Sequence, residues 1–288
     1  MSLDSGGQPL RKTPPVLREI IEHKRMEVAR AKEAVPFKEL ESLVAQEEPP
    51  RNFFAAVTRP THRNPTAVIA EVKRRSPSAG LIRPEYDGPG FRPELFAEKY
   101  WRAGASAISC LTDARFFGGD LSFIRRIKDA VPLPVLRKDF VIDEYQLWEA
   151  RAAGADAALL IAECLEDGQL IDLMILAQRL GLTVLVEAHD VESILRLRPH
   201  IGFPHPSYFL LGINNRDLTT MSVDLQHTLR VVDLVEEHKN IIVSESGITT
   251  PEQLARLRAA GVRIVLVGEH LMKQPDPGEA LRALIDAP

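Results

Sequence analysis

Cysteine is nearly missing from this chain of 288 residues: there are two, Cys110 and Cys164, both set inside apolar runs. With no CxxC pair, neither a thiolate metal clamp nor a disulfide framework is indicated, and both read as small buried hydrophobes in a reducing compartment. An excess of positive charge is missing too. Against 40 acidic residues stand 36 lysines and arginines, a net charge of −4, so no broad basic surface is available for nucleic acid. Clusters such as Lys73-Arg74-Arg75 and Arg125-Arg126 are local and suit a small anion. The eight histidines form no HExxH, and His200 and His205 fall in a Pro-rich loop, so no metal is expected. Long hydrophobic runs are absent. The opening MSLDSGGQPLRKTPP has no apolar centre for a signal peptide, and no segment approaches a membrane span. The expectation is a soluble, cytoplasmic protein with neither nucleic acid nor membrane as partner.

What the chain does have is a beat. Apolar runs rich in Val, Ile and Leu predict strands at 66–73, 106–113, 133–139, 157–163, 183–188, 208–215, 240–246 and 263–269, with starts spaced by roughly 23 to 40 residues. That is the length of a strand plus a crossover helix. Helical spacing fills 93–104, 143–154, 167–181 and 250–261. Each of these helices stops at a glycine (Gly104, Gly154, Gly181, Gly261), and Thr250, Pro251 and Gln253 fit a capped start. Eight double-sided apolar strands alternating with helices predict a single closed (β/α)8 TIM barrel in the α/β class. An open doubly wound sheet competes, but no GxGxxG follows any strand. Ahead of the barrel, 14–35 and 36–46 predict two amphipathic helices and "EEPPRNF" a break. The expected division is a flexible start over 1–13, a helical extension packed on the barrel over 14–65, and the catalytic barrel over 66–288. The extension either seals the bottom of the barrel or reaches its mouth.

Polar residues gather at the downstream ends of the strands, where barrels of this kind carry their chemistry. Strand one ends in Glu71-Val72-Lys73 and strand three in Arg137-Lys138-Asp139. Strand five carries Glu187, strand six Asn214-Asn215-Arg216, strand seven Ser244-Glu245-Ser246-Gly247 and strand eight Gly268-Glu269. Strand alternation turns Ile69, Glu71 and Lys73 to one face. Half-buried lysines and carboxylates are costly unless they pair or meet a ligand, and such groups suit general acid–base work. A Schiff base on Lys73 or Lys138 is the alternative use. Glycines and short helices after strands seven and eight mark the place where barrels commonly grip phosphate, so a phosphorylated small molecule is the expected ligand.

The stretches IAEVKRRSPSAG (69–80), ISCLTDARFFGGD (108–120), VLRKDFVIDEYQLWEARAAGADAALLI (135–161), LVEAHD (185–190), GINNRDL (212–218), SESGI (244–248) and VGEHLM (267–272) together resemble the indole-3-glycerol-phosphate synthase family of tryptophan biosynthesis. They run in family order from about residue 14 onward. The resemblance implies a carboxy-lyase that closes the indole ring of 1-(2-carboxyphenylamino)-1-deoxyribulose 5-phosphate with loss of carbon dioxide and water. It implies Lys138 as the principal general acid and Glu187 as the general base. Lys73 would stand near the substrate's carboxylate and phosphate, with the division of acid roles between the lysines open. Glu71 and Asn214 would orient the reacting region, and Ser246 and Arg216 would hold the ligand. Ser76, Gly247, Gly268 and Glu269 would line the phosphate end, the last two through backbone N–H groups. No metal or organic cofactor is implied, and a monomer is expected, with the N-terminal helix as the element that would carry a dimer.

The chain departs from the family pattern in a longer first loop (81–95), an enlarged loop at 199–208, Cys110 in place of a common valine, and His270 at a usually small or aliphatic position. None of these removes a proposed catalytic residue. The rival readings are a phosphoribosylanthranilate isomerase, a Schiff-base lyase barrel and a non-catalytic scaffold.

Overall fold

A computed structural model describes residues 14–59 and 65–286; the start expected to be flexible over 1–13 lies outside the described residues. Eight parallel strands close into a barrel: β1 (Ala67–Val72), β2 (Ala107–Leu111), β3 (Val135–Lys138), β4 (Ala157–Ile161), β5 (Thr183–Ala188), β6 (Phe209–Asn214), β7 (Ile242–Glu245) and β8 (Ile264–Val267). Each strand pairs with its neighbour in sequence, and β1 meets β8 with Ala67 opposite Ile264. Every predicted strand is present, shortened by up to a few residues where polar ends leave the ladder.

The strands hold because both their faces are covered. Ile69, Ile108, Leu136, Leu185, Leu210 and Val265 are fully buried, as near-continuous apolar strands require. The helix stops also behave as their glycines predict. Gly104, Gly154, Gly181 and Gly261 all take positive φ, and Thr250 and Gln253 form a reciprocal capping box at the start of Pro251–Ala259.

The extension serves both ends of the barrel, with different pieces. Helix α1 (Pro15–Ala34) lies at the mouth, where Leu17 and Ile20 border a small pocket with Lys73, Ser76, Phe117 and Phe140. A third helix, α3 (Phe53–Thr58), follows α2 (Phe37–Gln46) and was not expected from the sequence, because six residues are too few to show a period. Asn52 caps it by accepting from the Ala55 N–H at 2.8 Å. Just before α3, the Arg51 guanidinium donates to the carbonyls of Val131 and Leu133, at the foot of β3. Phe53 is wholly buried there.

What pins α1 to the mouth is a charge inside its apolar stripe. Lys24 is completely buried, with Nζ 3.0 Å from Asp113 and 2.8 Å from Asp139, the residues that follow β2 and β3. Burial works against its charge, but Asp139, Asp113 and Glu27 outweigh it and hold the pKa above the ordinary lysine value. Removing one partner of such a cluster strands the others in the interior. Lys24→Met is therefore expected to cost about 3–5 kcal/mol, read as a lower midpoint in chemical denaturation.

Candidate active site

A cavity of about 320 Å³ opens at the C-terminal ends of the strands. Glu71, Lys73, Lys138, Glu187, Asn214, Arg216, Ser246, Gly247, Gly268 and Glu269 all line it. Of the expected site residues only Ser76 does not. Its hydroxyl accepts from the Ala79 N–H at 3.1 Å and faces the adjoining pocket that it shares with Lys73 and Arg216. The polar end of β3 divides as alternation demands. Lys138 enters the cavity, whereas Arg137 turns outward to Glu149 at 2.9 Å and Asp139 at 3.1 Å.

Two lysine–carboxylate groups occupy the floor. Lys138 Nζ sits 2.7 Å from Glu187 Oε2 and 3.1 Å from Glu245 Oε2. Beside it Lys73 Nζ meets Glu71 Oε1 at 2.7 Å, and Ser109 donates to the other Glu71 oxygen at 3.4 Å. Burial disfavours the ammonium of Lys138, but Glu187, Glu245 and Glu71 together push its pKa above the ordinary lysine value. Lys138 is thus fully charged at neutral pH. Burial likewise works against the anion of Glu187, yet Lys138 and His189 carry its pKa well below the usual carboxylate range. Glu245 goes the other way, pushed up to about 8 by burial and by the neighbouring Glu187. Its Oε1 has no hydrogen-bond partner among the described residues.

Glycines make room for these carboxylates. A Cβ on Gly268 would lie 2.3 Å from Glu71 Oε1, and one on Gly212 would lie 2.3 Å from Glu245 Oε1. Gly268→Ala is accordingly expected to drive Glu71 off Lys73. A misplacement of about 1 Å in a reacting group can cost roughly 10²-fold, so steady-state kcat/KM should fall towards that extent, and the thermal midpoint should fall too because the added Cβ also comes within 2.9 Å of Glu71 Cβ.

The opposite rim carries cations and exposed backbone. Arg216 reaches Glu269 at 3.1 Å, and Lys273 meets the other Glu269 oxygen at 2.7 Å. After β7 the backbone turns left-handed twice, at Ser246 (φ 66°) and Gly247 (φ 82°). Positive φ in a serine is strained and needs outside support. Asn215 supplies it, donating from Nδ2 to the carbonyls of Glu245 (2.8 Å) and Ser246 (3.1 Å). Gly247 is also needed sterically, because a Cβ would meet Val223 at 2.4 Å.

Sequence reasoning left three participants without a role. Glu245 stood among the strand-end polar residues, and its inward parity was the available signal. His189 follows Glu187 by two residues and therefore shares its face, so alternation could have found it. Lys24, a charge on the stripe of Leu17, Ile20 and Val28, was the third.

Chain-wide comparison agrees with this geometry. Residues 17–284 match the family model of indole-3-glycerol phosphate synthase. An indole-3-glycerol phosphate synthase of Rhodospirillum rubrum is 43% identical over 94% of this chain and 98% of its own. Those of Acidithiobacillus ferrooxidans and Laribacter hongkongensis are 45% and 42% identical, each over 93% of this chain and 98% of their own. With the barrel closed, the lysine–carboxylate floor assembled and the match running almost end to end, the chain belongs to the indole-3-glycerol phosphate synthase family of tryptophan-biosynthesis carboxy-lyases.

Proposed function

We propose that this protein converts 1-(2-carboxyphenylamino)-1-deoxyribulose 5-phosphate to indole-3-glycerol phosphate, carbon dioxide and water. The observation that carries the reading is Lys138, charged and shared between Glu187 and Glu245 on the cavity floor. Ring closure needs a proton delivered to the ketone oxygen as the aryl carbon attacks, and a second delivered to the departing hydroxyl. It also needs a base to restore aromaticity once carbon dioxide has left. Lys138 is a filled proton donor aimed into the cavity, and Glu187, kept ionised, is the base. Lys73, beside Glu71 and within the same cavity, meets the substrate's anionic groups and is the second candidate donor.

The strained turn at Ser246-Gly247, the glycine step at Gly268 and the guanidinium of Arg216 favour the phosphate at the far rim, with Glu269 yielding Arg216 to it. Ser76, in the adjoining pocket, approaches from the loop side. These side chains supply each proton transfer, so the scheme runs without a metal or organic cofactor. Among the described residues no helix is long and apolar enough to cross a membrane.

The rivals fit less well. A Schiff base needs a neutral lysine, and the carboxylates around Lys138 oppose that. The isomerase reading would lean on a cysteine at a strand tip, whereas Cys110 is buried inside β2 with its thiol pushed up by burial. Mixing the purified protein with the carboxyphenylamino-deoxyribulose phosphate should raise indole fluorescence and release one carbon dioxide per product. A folded protein that binds this compound without forming either would refute the assignment.

A further inference from the structure

Behind Glu187 lies a group that the reaction scheme leaves unused. His189 is nearly buried and stands between two carboxylates. Its Nδ1 is 3.1 Å from Glu163 Oε2, and its Nε2 is 3.1 Å from Glu187 Oε1, off the line of a hydrogen bond and so an ion pair. Glu163 Oε1 also accepts from the His189 backbone N–H at 2.8 Å, which fixes the ring from two sides. The ring separates two spaces. On one side is the reaction cavity, on the other a polar cavity of about 750 Å³ that Glu163 and His189 both border.

Two carboxylates flank Lys138, Glu187 at 2.7 Å and Glu245 at 3.1 Å, and that difference alone is too small to decide which is the base. The surroundings do. Glu187 receives His189 at one oxygen together with the Asn214 amide at 3.1 Å, whereas Glu245 has Lys138 on one oxygen and, among the described residues, no hydrogen-bond partner on the other. From this asymmetry, and resting on the acid–base reading above, we propose that Glu163 and His189 are positioning residues which select Glu187, rather than Glu245, as the ionised base.

The two carboxylates that touch the ring favour its positive charge, and Asp190 adds to them, whereas His227 when protonated and Lys138 oppose it from farther off. Glu163 after β4 and Glu187 on β5 face it directly, while His227 across the second cavity, Asp190 beside it and Lys138 beyond Glu187 act at longer range. Burial lowers the His189 pKa, but Glu163 and Glu187 outweigh burial and carry it up to about 10. The imidazolium is therefore present throughout the neutral range. A fixed cation beside one carboxylate of a close pair favours ionisation of that one and leaves the proton on the other.

The test joins a spectroscopic and a kinetic readout. In ¹⁵N NMR of the folded wild type, the His189 ring should stay doubly protonated beyond pH 8, and in Glu163→Gln it should titrate at lower pH. In steady state, His189→Gln should lower kcat by about 10- to 100-fold, the usual cost of removing an orienting outer partner, with KM within about threefold. The acid limb of its pH profile should move upward as Glu187 loses its cation, and Glu163→Gln should show the same shift in smaller measure. A wild-type ring that titrates near an ordinary histidine overturns the proposal whatever the activity. So does an active wild type whose kcat and pH profile survive both substitutions. A wild type that forms no product overturns the synthase reading, and with it the role of these two residues in that reaction, which distinguishes the two failures.

Discussion

Lys138→Ala is expected to lower kcat by about 10³-fold, the middle of the range for losing a positioned general acid, while the protein still folds and binds its substrate. Among the described residues Lys138 is the one cation paired with both Glu187 and Glu245. Its removal takes away the proton donor and also leaves two buried carboxylates facing each other. The second consequence confuses the first, because like charges at close range share a proton and alter the base. Lys138→Arg separates them. Guanidinium retains the positive charge that compensates the carboxylates, so stability should recover. Its proton is held too tightly to be given up, so turnover should not. The measurement is single-turnover indole fluorescence with a denaturation curve for each variant. Recovered activity in the arginine variant would mean that Lys138 acts by charge alone, and Lys73 would become the donor.

The barrel was legible because its signal is repeated. Eight apolar runs at crossover spacing, with glycine at the helix stops, state one unit many times, and an error at one boundary leaves the count unchanged. Lys138, Glu187, Lys73 and Glu71 were legible for a different reason: polar groups at the ends of buried strands have few structural excuses. The residues that escaped act across gaps in sequence. Lys24 has its partners at Asp113 and Asp139, 89 and 115 positions away, and no local pattern announces such a pairing. Glu163 closed the fourth predicted strand without a role until folding set it against His189. The extension's dual role was undecidable from periodicity, since an amphipathic stripe shows that a face is covered and not which end of a barrel covers it. Ser76 shows the converse limit. The family resemblance implied that it lines the phosphate end of the main cavity, but the hairpin formed by Arg75–Ser76 and Gly80–Leu81 turns it into the next pocket.

Glu187→Gln is expected to be nearly as damaging, lowering kcat by about 10²- to 10⁴-fold, and its companion Glu245→Gln much less so. The difference follows from where the protons sit. In the wild type Glu187 is ionised far below neutrality, and Glu245 holds its proton up to about 8 because of burial and the Glu187 charge. Glutamine at 187 keeps the shape but removes that charge, so Glu245 ionises at lower pH and becomes the partner of Lys138. The ion pair survives in altered form, and stability near neutrality should change little while the base is lost. The pH dependence carries the sign. The lowered pKa of Glu187 contributes stability that is present above the unfolded carboxylate value and lost as pH falls through the folded one. The raised pKa of Glu245 works oppositely: its contribution is full below about 4.5 and lost as pH rises through about 8. Acid denaturation of Glu187→Gln should therefore lose part of the wild-type dependence on the low-pH side, and the weaker pH dependence above 4.5 should shift downward with Glu245. A Glu245→Gln variant that lost activity as completely as Glu187→Gln would show that the two carboxylates share the base, and the assignment to Glu187 alone would be wrong.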